Sequence, residues 1–213
     1  MQNNKQLSRE DVVRLSASRS AENKISTVQK LSSLYSSPNI TLRERKLAED
    51  IFRIMVEDVE VKVRQILAEC LKNTKEIPQD LVIKLINDEN SISIPFIKYY
   101  QGLTNKELID ILNAQNIDKQ KAVAQRHNLS NEVSAYIVDK CPEDVVVTLI
   151  SNNSANIYEN TYQNIVNKYS ESENVKRCLV YRSELPVTVI SKIINSSSNG
   201  SCRRRCNAGN CHT

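Results

Sequence analysis

Three side chains that can take part in catalysis lie close together in the stretch AVAQRHNLSNEVSAYIVDK, residues 122–140. Arg126 can bind an anion, His127 can act as a general base and Ser130 can act as a nucleophile. A nucleophilic site also needs a group that orients the base, and no residue pattern in the sequence marks such a group. Ser130 also precedes an apolar periodic segment, where a serine is a typical helix N-cap. We therefore expect a structural role for this stretch and no enzymatic activity.

A second group of reactive side chains lies near the C-terminus, in the segment SSSNGSCRRRCNAGNCHT at residues 196–213. Zinc takes four thiolate or imidazole ligands in a tetrahedral site, and this segment offers Cys202, Cys206, Cys211 and His212. Their spacing places two of them side by side and lacks the second pair that a structural zinc site uses. We interpret the segment as a disordered tail and expect no metal and no cofactor. The abrupt change of composition is also compatible with a truncated or frameshifted end.

The overall composition favours an α-helical chain with an aliphatic core. The 213 residues include no Trp and only 2 Phe, so Leu, Ile and Val must fill the core. Only 3 Gly are present, which is few for tight hairpins, and no Gly-rich phosphate-binding motif occurs. Cys70, Cys141 and Cys178 are scattered along the chain and are typical of small buried hydrophobic residues.

Charge and hydropathy bear on the partners and the location of the protein. The net charge is +4, and Arg203, Arg204 and Arg205 lie together in the tail, so the rest of the chain is almost neutral. A nucleic-acid-binding surface normally needs a basic cluster, which argues against that class. No apolar run approaches the roughly 18 residues of a membrane span, and the first residues lack the apolar region of a signal peptide. We therefore expect a cytoplasmic protein with no membrane contact.

A repeated apolar pattern indicates how residues 122–140 are positioned. Five segments each begin with Ile or Leu followed by Pro, Thr, Ser or Tyr, and each ends on two apolar residues. They are IPQDLVIKLI (77–86), LTNKELIDIL (103–112), LSNEVSAYIV (129–138), IYENTYQNIV (157–166) and LPVTVISKII (185–194). A further apolar or aromatic residue lies in the middle of four segments, and Ser134 replaces it in the third. This spacing predicts the buried face of a short amphipathic helix.

The segments recur every 26 to 28 residues, and a second short helix is predicted before each of them. These second helices are predicted at 61–71, 91–100, 119–127, 143–151 and 173–181. One helix pair cannot bury its apolar face alone, whereas stacked pairs can. Each fully buried Leu or Ile contributes roughly 1.5–3 kcal/mol. The pattern therefore predicts an all-α solenoid of short helix pairs.

The ordered series of motifs along these pairs resembles a bacterial HEAT-like-repeat family that is classed as a domain of unknown function. The pattern of that family is VR…LA, then IA-x-R-x-x-L-S, then Asn-x-x-Ala, then R-x-x-LP. It matches here at Val63-Arg64, Leu67-Ala68, Val123-Ala124, Arg126, Leu129-Ser130, Asn152, Ala155, Arg182 and Leu185-Pro186. The resemblance covers roughly residues 43–195 and implies a HEAT-like helical solenoid with a protein-interaction role. It implies no catalytic residues.

Composition divides the sequence into three parts. Residues 1–40 are rich in Ser, Asn and Lys, and we predict that they form an N-terminal helical capping segment. Residues 41–195 form the predicted HEAT-like solenoid, and residues 196–213 are the Cys- and Arg-rich tail. Self-association through the N-terminal helices is compatible with this division, which would make the protein a homo-oligomer.

Apolar spacing places helices within and after the capping segment. Helices are predicted near 8–17 and 21–36, and Pro38 ends the second. Thr41 and Glu44 are typical of a capping box that opens the next helix. The helix near 21–36 is predicted to bury Ile25, Val28, Leu31 and Leu34, and the helix that begins at the capping box is predicted to bury Leu47, Ile51 and Ile54.

Polar side chains stand where the first helix of each pair is predicted to end. The candidate residues are Tyr99, Tyr100, Arg126, His127, Asn153, Tyr181 and Arg182. One interpretation is a polar interaction ridge that a protein partner contacts. The other is that these side chains satisfy free carbonyl groups at helix C-termini or bond to the neighbouring turn. We favour the second interpretation, because a repeated position more often reflects repeat architecture, and keep the ridge as the candidate site.

These observations lead to two functional expectations. The first is a non-enzymatic scaffold or regulator that binds an unidentified protein partner. The alternative is a nucleic-acid-binding helical-repeat protein, which an almost neutral surface argues against. The basic residues that favour the alternative are Arg43, Arg45, Lys46, Lys62, Arg64 and the tail residues Arg203, Arg204 and Arg205.

Overall fold

The structure is a computed structural model, and it describes residues 20–183 and 185–194. Within those residues every regular element is an α-helix and no strand occurs, which confirms the all-α prediction. The helix predicted near 8–17 and the tail predicted at 196–213 lie outside the described residues. The chain divides between Thr104 and Asn105 into two units, which are described separately.

In its described part, the first unit is built from long helices followed by shorter ones. They are α1 (Ala21–Tyr35), α2 (Leu42–Met55), α3 (Val61–Leu71), α4 (Gln79–Asn87) and α5 (Asn90–Tyr99). Contacts join α1 to α3 and α3 to α5, so these alternate helices form a row. Helix α2 packs on α1 and α3, and α4 packs on α5.

The second unit repeats this arrangement with helices of similar length. They are α6 (Asn105–Asn113), α7 (Ile117–Ala124), α8 (Asn131–Lys140), α9 (Glu143–Ser151), α10 (Glu159–Lys168), α11 (Glu173–Tyr181) and α12 (187–194). One row consists of α7, α9 and α11, and the other consists of α6, α8 and α10. Contacts between α6 and α7 and between α8 and α9 join the two rows. Short helices are therefore present at the predicted segments and between them, but the predicted pairing is wrong here: of the helices next to them in the chain, α6 and α8 make their main contacts with the one that follows each of them, whereas the sequence paired each segment with the helix before it.

Polar side chains cap the N-termini of α2 and α8 at the helix starts that the sequence predicted. The Thr41 hydroxyl accepts from the Glu44 amide at 3.3 Å, and the Glu44 carboxylate accepts from the Thr41 amide at 3.0 Å. This pair is the predicted capping box. Ser130 accepts from the Val133 amide at 3.4 Å, which confirms its role as an N-cap. Each of these bonds satisfies an amide that has no partner within its own helix.

The apolar positions of the repeated segments form one part of the core, and the helices between them supply further buried residues. In the first four segments the middle residue and the last two are each at most 9% exposed. These residues are Val82, Leu85, Ile86, Leu108, Ile111, Leu112, Ser134, Ile137, Val138, Tyr162, Ile165 and Val166. Ser134 is completely buried among them, and its hydroxyl has no hydrogen-bond partner among the protein atoms.

The buried face differs from the predicted one in the two N-terminal helices. Leu34 is exposed in α1, and Tyr35 is buried in its place. Tyr35 Oη donates to Glu49 Oε1 at 3.0 Å, which satisfies its hydroxyl inside the unit. In α2, Met55 is buried and Ile54 is exposed. A shift of one residue turns a side chain by roughly 100° around a helix, so the packing partner decides which neighbour points inward.

Candidate interaction surface

The residues that first suggested catalysis are separated by their local contacts. Arg126 is buried after the end of α7, whereas His127 is exposed. Asn128 follows with a φ of 52°, which turns the chain towards α8. The Ser130 hydroxyl donates to Asn105 Oδ1 at 3.0 Å, so its proton is directed to an amide and not to an imidazole.

Arg182 occupies the end of α11 and binds the carbonyl groups at the end of α9. Its Nη1 donates to the carbonyl oxygens of Ile150 and Asn152, each at 2.8 Å. Its Nη2 donates to the carbonyl oxygen of Ala155 at 2.7 Å. The guanidinium carbon also lies 5.6 Å from the centre of the Tyr162 ring. The side chain predicted for the ridge therefore closes the C-terminus of the preceding helix in its row.

Asn152 makes the corresponding contact one helix earlier. Its Nδ2 donates to the carbonyl oxygens of Ala124 at 2.9 Å and Arg126 at 2.7 Å, at the end of α7. Asn152 therefore connects two predicted residues, because its side chain binds the Arg126 backbone and its own carbonyl accepts from Arg182. The prediction named the adjacent Asn153, whose side chain is exposed. The Asn-x-x-Ala motif singles out Asn152 in the sequence, so it could have identified this residue instead of Asn153.

The other row uses a lysine for the same purpose. Lys168 Nζ, at the end of α10, donates to the carbonyl oxygens of Val138 at 2.7 Å and Asp139 at 3.0 Å. These carbonyls belong to the last turn of α8 and carry the partial negative charge of a helix C-terminus. In both rows a polar side chain thus stabilises the helix end that lies about one repeat earlier.

The candidate ridge residues have different environments. Arg126 is only 4% exposed, and burial lowers the pKa of its guanidinium below the ordinary value. Tyr100 is also buried and stacks on Phe96, with ring centres 4.9 Å apart. Neither side chain contributes to an accessible surface. Tyr99 and Tyr181 are exposed and belong to different units.

The basic residues that favoured nucleic-acid binding are partly engaged within the first unit. Arg64 binds Asp88 through two bonds of 2.8 and 3.0 Å. Its Nη1 also donates to the Asp58 carbonyl oxygen at 2.8 Å. Arg45 lies 4.7 Å from the centre of the Tyr35 ring. Among the members that the structure describes, Arg43, Lys46 and Lys62 are exposed.

An apolar stripe on α12 is the exposed surface that sequence reasoning missed. The α12 stripe consists of Val187, Ile190 and Ile194, which are 77%, 42% and 61% exposed. Their spacing of three and four residues places them on one side of the helix. Val180 and Tyr181, at the end of α11, are also exposed. Large apolar side chains gathered on a surface are typical of interaction sites.

The repeat shows why the α12 stripe is unusual. Ile190 corresponds to Leu108, Ser134 and Tyr162 in the same unit, and Ile194 corresponds to Leu112, Val138 and Val166. All of these earlier side chains are buried. Helix α12 uses Val189 to pack on the unit, because that side chain is completely buried. The Thr188 hydroxyl also donates to Glu159 Oε1 at 2.5 Å.

A shallow groove beside α8 and α10 is a second surface feature of this unit. Its volume is about 400 Å³, and Ala135, Thr161, Asn164 and Asn167 are among its lining residues. Lys168 also borders the groove, but its ammonium group is bound to the carbonyl groups at the end of α8. The accessible polar groups of the groove are therefore the amides of Asn164 and Asn167 and the exposed carboxylate of Asp139.

The described ranges, 20–183 and 185–194, contain neither a metal-ligand cluster nor a helix suited to cross a membrane. No group of three or more His, Cys, Asp or Glu side chains in these ranges is arranged to hold a metal ion. Cys202, Cys206, Cys211 and His212, which the sequence offered as possible zinc ligands, lie outside these ranges. None of the helices in the same ranges has both the length and the apolar character needed to cross a membrane.

Comparison with known proteins identifies a sequence family. Neither the curated proteins nor the solved structures gave a match to the chain. A family described as "Uncharacterised protein conserved in bacteria (DUF2336)" matches residues 92–208. The matched range runs from α5 through α12 and into the tail segment. Because this range covers more than half of the sequence, the chain belongs to that bacterial family.

Proposed function

We propose that the chain is a non-enzymatic, HEAT-like helical-repeat protein that binds another protein. The HEAT-like assignment is supported by the rows of alternate helices within each unit and by the spacing of the helix-capping contacts. Asn152, Lys168 and Arg182 all reach carbonyl groups 26 to 32 residues earlier, which is close to the sequence repeat.

The exposed α12 stripe is the observation that carries the binding proposal. Side chains at the corresponding positions of α6, α8 and α10 are buried, so burial of Ile190 and Ile194 is the normal state of this repeat position. Contact with a partner would remove the stripe from water. Apolar area removed from water contributes about 25 cal/mol per Å² before the costs of association. The candidate ridge contributes less accessible area, since Tyr100 and Arg126 are buried.

Affinity purification from the native bacterium tests the proposal. The tagged chain is expressed from its own chromosomal locus as the unchanged protein, as Ile190→Glu and as Ile83→Glu. Ile83 is 50% exposed on α4 and serves as a control isoleucine of similar accessibility. We expect a protein that co-purifies with the unchanged chain and with Ile83→Glu but is depleted with Ile190→Glu. Equal recovery with all three chains would contradict a role for the stripe.

A further inference from the structure

We infer that the groove beside α8 and α10 binds a tyrosine side chain of the partner protein, with the ring on Ala135 and Val138 and the hydroxyl donating to the Asp139 carboxylate. This inference rests on the proposed function and specifies one side chain of the partner. It follows from a comparison of two successive helix contacts in one row of the second unit, the contact of α6 with α8 and the contact of α8 with α10.

The contact of α6 with α8 already contains a tyrosine. Tyr136 lies on α8, two residues after the buried Ser134. Its Oη donates to Oδ1 of Asn113, the last residue of α6, at 2.6 Å. A partly buried tyrosine keeps its ring on apolar atoms and directs its hydroxyl to an acceptor. The repeat itself therefore places a phenol group between these two helices.

In the next contact of the row, Asn164 stands at the position of Tyr136. Asn164 lies on α10, two residues after Tyr162, and so has the same register. The equivalent of Asn113 is Asp139, which retains an acceptor where the phenol hydroxyl is bound in the earlier contact. The ring has no counterpart, because an asparagine side chain is much shorter than that of tyrosine. Asn164 and Asp139 both line the groove.

Two further lining side chains, both on α8, are smaller than their equivalents on α6. Ala135 stands in the place of Ile109, and Val138 stands in the place of Leu112. Loss of side-chain volume at packed positions leaves space, because the surroundings collapse only partly. The groove accordingly has a volume of about 400 Å³, within the range of sites that hold small organic groups.

The remaining lining positions have side chains of similar size in the two contacts. The equivalent pairs are Val133 and Thr161, Asp139 and Asn167, and Lys140 and Lys168. The lost volume is therefore confined to the position of the Tyr136 ring and to the two apolar positions on the neighbouring helix. A phenol ring is the group that the register of the repeat predicts for this space.

The charges at the groove favour a neutral donor. The Asp139 carboxylate pairs with Lys140 at 3.1 Å, and this exposed pair does not exhaust the four or so acceptor sites of a carboxylate. The Lys168 ammonium borders the groove and opposes entry of a Lys or Arg side chain, whereas Asp139 opposes entry of a carboxylate. A tyrosine hydroxyl, with an ordinary pKa of about 10, is neutral at physiological pH and meets neither repulsion.

Titration with N-acetyltyrosinamide tests the inference on the full chain. This uncharged ligand supplies the tyrosine side chain, and N-acetylphenylalaninamide is the matched control that lacks only the hydroxyl. Backbone amide resonances of the isotope-labelled protein report both binding and its location. We expect the tyrosine derivative to shift resonances of residues that line the groove. The phenylalanine derivative should bind about fivefold more weakly, as loss of one hydrogen bond requires.

Substitutions at the groove separate the roles of its shape and its acceptor. Asn164→Tyr copies the preceding contact, so its own ring should fill the groove and weaken binding of N-acetyltyrosinamide at least about tenfold. Asp110→Tyr is the control, since Asp110 is the exposed equivalent of Asn164 on α6 and lies outside the lining of the groove. Asp139→Ala should abolish the preference for the tyrosine derivative over the phenylalanine derivative. Asp139→Asn supplies the acceptor found at Asn113 and should retain that preference.

Several results would overturn the inference. Equal binding of the two derivatives, binding that Asn164→Tyr leaves unchanged, or no saturable shift at the groove at millimolar concentrations would exclude a phenol site. Binding of free p-cresol without binding of N-acetyltyrosinamide would assign the groove to a small phenolic molecule and not to a protein.

The affinity purification distinguishes failure of this inference from failure of the proposed function. We expect the cellular partner to be depleted with Asn164→Tyr and retained with Asp110→Tyr. A partner that is depleted with Ile190→Glu but retained with Asn164→Tyr would contradict the tyrosine site and leave the proposed function intact. Circular dichroism and urea midpoints show that the variants are folded.

Discussion

Arg182 donates from Nη1 to the carbonyl oxygen of Asn152 at 2.8 Å, while the Asn152 side chain donates to the carbonyl oxygen of Arg126 at 2.7 Å. The two contacts connect the C-termini of α7, α9 and α11, which are the three helices of one row. Because the carbonyl groups at these ends have no partner within their own helices, the contacts stabilise the row as well as the individual ends.

Replacement of Arg182 is expected to destabilise the protein. Arg182→Lys retains the charge but cannot reproduce three bonds from a planar guanidinium, so we expect a loss of about 1–2 kcal/mol. Arg182→Ala removes all three bonds and the contact with Tyr162, and we expect a loss of about 2–4 kcal/mol. Urea denaturation followed by circular dichroism measures both changes.

Arg177 provides the matched control for this experiment. It is an exposed arginine on the same helix, and Arg177→Ala is expected to change the free energy of unfolding by less than about 0.5 kcal/mol. A similar effect of Arg177→Ala and Arg182→Ala would show that loss of positive charge, and not the capping of α9, is responsible.

Two serines of α8 should respond to alanine in opposite directions. The Ser134 hydroxyl is buried without a hydrogen-bond partner among the protein atoms, so Ser134→Ala is expected to be neutral or to stabilise the chain by up to about 1 kcal/mol. Ser130→Ala removes an N-cap and is expected to destabilise it by about 1 kcal/mol. Thermal unfolding of both variants tests this contrast, and a clear loss of stability in Ser134→Ala would indicate a buried partner for the hydroxyl.

Much of the helical fold could be predicted because periodicity and capping are local. The predicted helices at 61–71, 143–151 and 173–181 coincide with α3, α9 and α11, and the Thr41 capping box opens α2. Errors occurred where two apolar residues are adjacent near a helix end, as at Leu34 and Tyr35. There the spacing fits either residue, and the tertiary neighbours decide which of them is buried.

The candidate surface was harder to predict because exposure is a property of the neighbours. Ile194 has the same sequence environment as Leu112 and Val138, yet it is exposed while they are buried. Arg126 and Arg182 likewise share a repeat position, and the motif does not reveal that one is buried and that the other binds three carbonyl groups. Such contacts depend on how successive helices stack, which a periodic pattern leaves open.

Asp58 is expected to make the stability of the first unit sensitive to acid. Burial acts to raise the pKa of its carboxyl group, but hydrogen bonds from Lys24 Nζ, at 2.6 Å, and from the Glu60 amide, at 3.0 Å, outweigh burial and hold the pKa below its usual value. A carboxylate with a lowered pKa stabilises the folded state above its unfolded pKa, and this contribution is lost as the pH falls below about 4.

Asp58→Asn therefore tests the contribution of this carboxylate. We expect the free energy of unfolding to fall by about 1–3 kcal/mol at neutral pH. Between about pH 5 and 3, where the carboxylate titrates, the variant should lose less further stability than the unchanged chain does. Asp50→Asn is the control, since Asp50 forms an exposed pair with Arg53 that contributes little. If both variants retain the acid sensitivity of the unchanged chain, other carboxylates must cause it.

The Cys141 thiol is expected to resist alkylation in the folded protein. Burial raises its pKa to about 11, although the charge of Lys168 partly opposes this. Since thiolate is the reactive form, a pKa about two units above the ordinary value lowers its fraction at pH 8 roughly 100-fold. Because the folded pKa lies above the unfolded one, the stabilisation due to the neutral thiol is present below the unfolded pKa and is lost as the pH rises through about 11.

Mass spectrometry after iodoacetamide treatment measures this reactivity for each cysteine. At pH 8 we expect Cys141 to react at least about 100-fold more slowly in the folded chain than in urea, because burial limits both ionisation and access. Cys70, which is only partly buried, serves as the internal control and should show a much smaller difference. Equal protection of both cysteines would mean that global unfolding controls their labelling. Rapid labelling of Cys141 alone would show that the end of α8 opens locally, and that the contact of Lys168 with the carbonyl groups there is readily broken.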